Sequence, residues 1–310
     1  MKPSRCLSCM RIKYNRSCEY CGYWRKDNPF NALPLENILR GRYLVGRYLG
    51  KNNLFMEYAA LDLALDRPVI LRELFPGDST RKSDGSVDFC DFGRCECTEY
   101  NRKLFLQEAE AMRMASQLPH VLQVYEVFAE NQTEYLVTDF HRGGISLGER
   151  LRRMGPMALG QAVSLLEPLG PELDAIWTAG IRFWGINTDN ILCLPGSGCL
   201  LKDFGADPYW WDPDYDFLII SPFQPEETYL TSCSGGGPWD TVFSLCVVLC
   251  CCLLGYGNAS CNTERLEKQI PRLPVPDSVK AVLAWGMAEK AENRIQSPSA
   301  LFRELRAAMK

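Results

Sequence analysis

Four cysteines near the start of the chain have the types and spacing of a metal shell. Cys6-Leu7-Ser8-Cys9 and Cys18-Glu19-Tyr20-Cys21 are two C-x-x-C knuckles separated by eight residues. Each knuckle turns tightly and presents two thiolates from one side, so two of them close a tetrahedral shell around Zn²⁺ with no open coordination position. A closed shell implies a structural metal. The segment has too few apolar residues to fold readily without one, which weighs against reading these thiols as a redox-active or disordered tail. Of the remaining thiols among the chain's 15 cysteines, Cys90, Cys95 and Cys97 read as ordinary loop residues, because no second C-x-x-C completes a shell. Cys246, Cys250, Cys251 and Cys252 lie in an apolar run and read as small buried residues.

The rest of the sequence limits what such a shell is attached to. At 310 residues, 46% hydrophobic and 23% charged, the chain has room for one two-lobed globular domain plus a small appendage. A net charge of −4 with no basic run argues against nucleic acid as the main partner. No apolar core follows the basic residues of Met1 to Lys13, and the apolar run Val242 to Leu254 is too short to span a membrane. The expected location is therefore the cytoplasm, with thiols reduced and no membrane partner. Residues 25–40, RKDNPFNALPLENILR, are polar and interrupted by Pro29 and Pro34, which predicts a linker between the shell and the main domain.

From Gly41 the chain reads as short strands separated by turn signals, GRYLVGRYLGKNNLFMEYAALDLALDRPVILRELFP. A polar insertion, residues 77–100, precedes an amphipathic helix over Leu104 to Leu118. Strands over Val121 to Val127 and Glu134 to Phe140 should form a hairpin turning at Glu130-Asn131-Gln132. Helices follow near Leu147 to Arg153 and Leu159 to Ala179. They lead into GIRFWGINTDNILCLPGSGCLLKDFG, residues 180–205, where Asn190 and Asp203 flank a strand-turn-strand broken at PGSG.

That last stretch resembles the catalytic loop and metal-binding strand of a protein kinase. With the shell at its front, nearly the whole chain is similar to a group of bacterial serine/threonine kinase-like proteins that carry a Cys₄ ribbon. In the family pattern H-R-D-x-x-x-x-N the Asp accepts the substrate proton and the Asn holds Mg²⁺, while D-F-G supplies a second metal ligand. The resemblance puts Phe183, Trp184 and Gly185 at H-R-D, so the catalytic position is degenerate. It leaves Arg72 in place of the phosphate-binding Lys, Glu108 as the helix acid expected to pair with Arg72, and Asn190 and Asp203 as nucleotide-metal ligands. Asn52 and Phe55 replace two glycines of the phosphate-covering loop, Glu57 falls at an adenine-covering Val, and Ile70 replaces a small Ala beside the adenine. Phe183 should pack with Phe204, Met112 and Val124 in one apolar column, and Glu226 should pair with Arg294. Asp91-Phe92-Gly93 comes too early in the chain to be the metal-binding D-F-G.

These residues imply an α+β, two-lobed kinase-like fold preceded by a small zinc ribbon. Its divisions are residues 1–24 for the ribbon, 25–40 for the linker and 41–310 for the kinase-like domain, with lobes 41–140 and 141–310. The expected function is that of a pseudokinase, a regulatory or partner-binding module with structural Zn²⁺ and doubtful Mg·ATP. Two other readings stand: an unorthodox active serine/threonine kinase that transfers phosphate from ATP to protein, and a phosphotransferase of altered chemistry. A protein partner is expected at the aromatic and acidic segment Asp207 to Phe217.

Overall fold

The computed structural model describes residues 4–77, 79–89, 95–181, 183, 185–196, 198–205, 223–225, 236–257 and 269–310, with backbone alone at 95–97. The segment Asp207 to Phe217, Trp184, Glu226 and the early Asp91-Phe92-Gly93 lie outside these residues. The chain divides into two compact units, Met1–Arg113 with Gln123–Arg142, and Met114–Leu122 with Gly143–Lys310.

The first unit opens with a two-stranded ladder, β1 (Ser4–Arg5) against β2 (Ile12–Lys13). Its main sheet contains β3 (Ile38–Leu39), β4 (Tyr43–Lys51), β5 (Phe55–Asp62) and β6 (Arg67–Leu74). A small hairpin, β7 (Thr80–Arg81) and β8 (Val87–Asp88), comes next, then helix α1 (Cys95–Ala115) and the strands β9 (Val124–Glu130) and β10 (Thr133–Asp139). The sheet order is β3-β4-β5-β6-β10-β9, antiparallel throughout. The last hairpin turns on Asn131 and Gln132 at φ 53° and 60°, the two left-handed residues that match the twist of paired strands. Its core includes Tyr43, Val45, Tyr58, Val69, Leu71, Phe128 and Tyr135. Glu73 is a charge buried beside them. Glu73 on β6 accepts hydrogen bonds from Tyr58 Oη (2.9 Å) and Tyr135 Oη (2.6 Å) and pairs with Arg81 on β7, so its desolvation is offset and the hairpin is tied to the sheet.

The expected linker is itself part of this packing. Leu33 is fully buried in the sheet's core and its N–H donates to Tyr58 Oη at 3.1 Å, while Asn28 Nδ2 bonds the carbonyls of Leu33 and Gly46. The segment is thus tied to the sheet through Leu33 and Asn28, which alternation of apolar residues could not reveal because the contacts with Tyr58 and Gly46 are distant in sequence.

The second unit holds a small sheet of β11 (Ile145–Ser146), β12 (Ile191–Cys193) and β13 (Cys199–Leu201). Its helices are α2 (Leu147–Met154), α3 (Leu159–Leu166), α4 (Leu169–Thr178), α5 (Pro238–Leu254), α6 (Asp277–Gly286) and α7 (Pro298–Ala308). The single helix expected over Leu159 to Ala179 is two. It breaks at Glu167-Pro168, where Pro168 has no N–H to continue the ladder. Helix α5 is buried nearly all round, including Cys246, Cys250, Cys251 and Cys252, and forms the centre of the unit. Among the described residues no helix is long and apolar enough to cross a membrane.

Candidate functional site

The cysteine shell is assembled as its spacing predicts. The Sγ atoms of Cys6, Cys9, Cys18 and Cys21 all lie within 4.8 Å of one another, with Cys6 to Cys21 at 3.6 Å and Cys9 to Cys18 at 3.7 Å. A tetrahedron with metal–sulfur bonds of about 2.3 Å has edges of about 3.8 Å, so the four thiols are spaced to hold Zn²⁺. The two knuckles repeat one fold. Met10 N–H bonds Cys6 O (2.9 Å) and Gly22 N–H bonds Cys18 O (2.8 Å), with both fourth-following residues at positive φ, 57° and 68°. Burial pushes the Cys9 thiol up to about 12 despite the Arg11 N–H. Burial opposes ionisation of Cys18 too, but N–H groups of Tyr20 and Cys21 and the neighbouring thiols overcome it and bring this group down to about 7. Four crowded sulfurs cannot all become thiolates without a cation among them, which is what a divalent ion supplies.

The knuckles do not stand apart from the sheet. Met10 is fully buried with Ala59 and Leu61, Arg47 N–H donates to Leu7 O at 2.6 Å, and Arg142 Nε donates to Cys9 O at 3.0 Å. At Gly46 on β4 a Cβ would overlap Leu7 O and the Met10 methyl, so only glycine lets the knuckle backbone lie this close to the strand. Met10 accepts a left-handed backbone where the second knuckle uses Gly22, and its side chain anchors the shell to the sheet.

In the first unit Arg72, Glu57 and Phe55, three departures from the kinase pattern, form one cluster. Arg72 on β6 is 1% exposed, and Glu57 lies opposite it on β5. Arg72 Nε donates to Glu57 Oε1 at 2.8 Å, its guanidinium lies 4.7 Å from the centroid of the Phe55 ring, and Nη1 reaches Met112 Sδ at 3.7 Å. A Phe where the family has Gly and a Glu where it has Val thus supply a cover and a counterion for an Arg where it has Lys. Sequence reasoning gave Glu108 as the partner of Arg72; Glu108 is buried on α1, and the ion pair with Glu57 was missed, although period-2 pairing across a short hairpin could have found it. Asn52 Oδ1 accepts the N–H groups of Leu54 (2.9 Å) and Phe55 (2.8 Å), fastening the turn with a side chain where the family has flexible glycine. Ile70, half-buried, sits between Ala59 and Thr138 on the adjacent strands.

In the second unit Asn190 and Asp203 come together. Asn190 Nδ2 donates to Asp203 Oδ1, Asn190 Oδ1 accepts Asn187 N–H at 2.7 Å, and both side chains are buried. The amide nitrogen of Asn190 faces the carboxylate and its oxygen is taken by the Asn187 N–H, so the pair supplies oxygen ligands for Mg²⁺ from Asp203 directly and from Asn190 through Oδ1. Phe183 and Phe204 meet edge to face with ring centroids 5.3 Å apart, the contact expected of them. Met112 and Val124, expected in the same column, are buried in the first unit.

Gly185, expected at the base position of the kinase motif, has its own geometry. Gly185 has φ 145°, a conformation that disfavours side chains, and a Cβ there would overlap the Gln224 amide nitrogen. Gln224 is 6% exposed, so its side chain fills the space beside Gly185. Arg294 donates to Asp240 Oδ1 at 3.1 Å and to the carbonyls of Ala288 (2.7 Å) and Glu289 (3.0 Å), bracing the start of α5.

No protein-family model matches the chain. Among curated proteins it is similar to serine/threonine-protein kinase PknE of Mycobacterium tuberculosis, 25% identical over 272 residues, which cover 82% of this chain and 44% of that one. It is also similar to PknL of the same organism, 30% identical over 173 residues, covering 56% and 39% respectively. The chain thus spans less than half the length of these relatives. Among solved structures, PpkA-294 in its apo form matches with TM-score 0.75 at 22% identity over 89% of this chain and 99% of that one. The Mycobacterium tuberculosis PknI kinase domain matches with TM-score 0.63 at 18% identity over 89% and 100%. The fold is the two-lobed, α+β protein-kinase fold, and the curated relatives PknE and PknL are bacterial serine/threonine-protein kinases.

Proposed function

We propose that this kinase-fold chain is a pseudokinase, a regulatory or partner-binding module whose cleft binds ATP weakly or not at all. The observation that carries the reading is Gly185: the residue at the base position has no side chain, a backbone at φ 145° and Gln224 in the adjoining space. The first unit supports it independently. Arg72 already has a carboxylate counterion in Glu57 and a ring over its plane in Phe55, so its charge is engaged where the family's Lys meets phosphate. The aromatic and acidic residues Asp207 to Phe217 are the proposed surface for the protein partner.

The front of the chain is proposed to hold one structural Zn²⁺ on Cys6, Cys9, Cys18 and Cys21, supported by the tetrahedral spacing of the sulfurs. Metal analysis of protein purified under reducing conditions should find one zinc per chain, and finding none removes the assignment.

The rival reading is ATP-dependent phosphotransfer to protein, as the names of PknE and PknL would suggest. One observation favours it: Asn190 and Asp203, the residues expected to meet the nucleotide's metal, lie side by side. Bound Mg²⁺ would supply charge neutralisation for the phosphates, and loss of a general base alone costs only about 10² to 10⁴ in rate. Thermal melting in millimolar Mg·ATP, with incorporation of labelled γ-phosphate or nucleotide into protein, separates the readings. A pseudokinase should show neither shift nor label. A shift of several degrees that disappears in Asp203→Ala, accompanied by label, would establish the rival.

A further inference from the structure

Whole-chain charge hides a strong segregation. Residues 1–27 carry seven Lys or Arg against Glu19 and Asp27, a balance of +5 within a chain of −4, so the other residues carry −9. Four thiolates around a divalent ion would reduce the front segment only to +3. The shell is held to the sheet by Met10 and Leu7, and its solvent-facing residues include several rings and bases as well as Glu19, which accepts the Tyr14 N–H, and Asp27. Tyr14, Tyr20 and Trp24 are 59%, 56% and 60% exposed, unusually high for large rings on a small, metal-sized fold. Arg5 and Arg25 have carboxylate partners, Asp66 and Glu36. Among the described residues Arg11, Lys13, Arg16 and Lys26 have none. The Arg11 guanidinium lies 4.8 Å from the centroid of the Tyr20 ring, a flat cationic platform open to solvent.

We infer that the exposed face of the cysteine ribbon binds single-stranded nucleic acid with little sequence preference. A single strand alternates a phosphate with a flat ring, and the ribbon offers cations without carboxylate partners, exposed rings on which bases can stack, and one direct pairing of the two in Arg11 and Tyr20. An acidic peptide would answer the charges and leave three rings without planar partners. An anionic membrane would call for aliphatic residues that enter it, and Ile12 is the one exposed aliphatic residue among those described in the ribbon. The reading is independent of what the kinase-fold cleft does.

The test is fluorescence anisotropy of a labelled twelve-nucleotide oligothymidylate titrated with the full, zinc-loaded chain. Saturable binding is expected at about 50 mM salt, weakening roughly 20-fold by about 200 mM as three phosphate contacts are screened. Tyr20→Ala and Trp24→Ala should each weaken it about tenfold with zinc content and melting temperature unchanged. Arg16→Glu, at an exposed position remote from the sulfurs' hydrogen bonds, should both weaken binding and flatten the salt dependence. The inference is overturned by an absence of saturable binding at low salt. It is equally overturned by affinity that ignores both ring substitutions in zinc-loaded protein, or by uptake on phosphatidylserine vesicles without binding of the oligonucleotide.

Discussion

A substitution that removes a catalytic group is ordinarily reversible, because the pocket for the lost side chain persists. Gly185 is different, since both its backbone and its neighbour have settled around the absence of a side chain. Asp at this position must adopt φ near 145° or move the loop, and must displace Gln224 from a buried site. Gly185→Asp should therefore destabilise the protein by about 1–3 kcal/mol, measured by denaturant unfolding. Adding Gln224→Ala should recover the steric part and leave the backbone part, so a double-mutant cycle should show coupling between the two positions. If Gly185→Asp left stability unchanged, the position would be open to a working base. The Arg72 cluster makes the same kind of statement. Glu57→Ala leaves a guanidinium that is 1% exposed without the carboxylate at 2.8 Å, which should cost about 2–3 kcal/mol in the same measurement. A neutral result would mean that Glu57 is incidental to how Arg72 is held.

Among the elements, the ribbon was the most legible in sequence and its attachment the least. Two C-x-x-C knuckles are local signals, since ligand spacing fixes the turn and the turn fixes the sulfurs. The contacts of Met10 with Ala59 and Leu61, and of Leu33 with Tyr58, link residues far apart in the chain, and no period in the sequence encodes them. Residues 25–40 therefore read as a linker, although Ala32, Leu33 and Leu39 within them pack in the sheet's core. Helix bounds failed where a chain-breaking residue was outweighed by amphipathic spacing, as at Pro168, whereas the turn was legible because Glu130-Asn131-Gln132 is a polar break between two apolar runs and Asn131 tolerates positive φ. The shared core has a consequence for metal removal. Two separate cores would let the ribbon unfold alone, but loss of the knuckle exposes Ala59, Leu61 and the Gly46 backbone. Chelation should thus lower the melting temperature of the first unit by several degrees as well as abolish the ribbon. Met10→Ala, which keeps the four cysteines, should cost about 2–4 kcal/mol and retain zinc. An unchanged melting temperature after the zinc is removed would show that the two cores are energetically separate.

At the scale of the whole molecule, the order of strands and helices was legible from alternation and turn chemistry, and the kinase fold followed from one motif with intact spacing. What the motif could not reveal is how each departure is compensated, because Glu57 answers Arg72 and Gln224 answers Gly185 only in three dimensions. That compensation decides what repair requires. Phe183→His, Trp184→Arg and Gly185→Asp together restore the catalytic-loop pattern, and the new Asp could accept a proton. Phosphoryl transfer, however, is driven mainly by positioning and by stabilisation of charge on the γ-phosphate, to which the strands of the first unit must contribute. There Arg72 is paired with Glu57 and covered by Phe55, Asn52 fixes the turn through two backbone N–H groups, and Ile70 occupies the place of a small residue. On the proposed pseudokinase reading these defects act in series, so relieving one leaves the others limiting. The triple variant should bind Mg·ATP no better than the parent in a melting experiment and transfer no labelled γ-phosphate to a generic protein substrate. Transfer should require Ile70→Ala, Arg72→Lys, Glu57→Val and glycines at positions 52 and 55 in addition, with Gln224→Ala to admit the new Asp. Robust transfer by the triple variant alone would mean that the first unit already holds ATP productively, and the pseudokinase reading of those strands would be wrong.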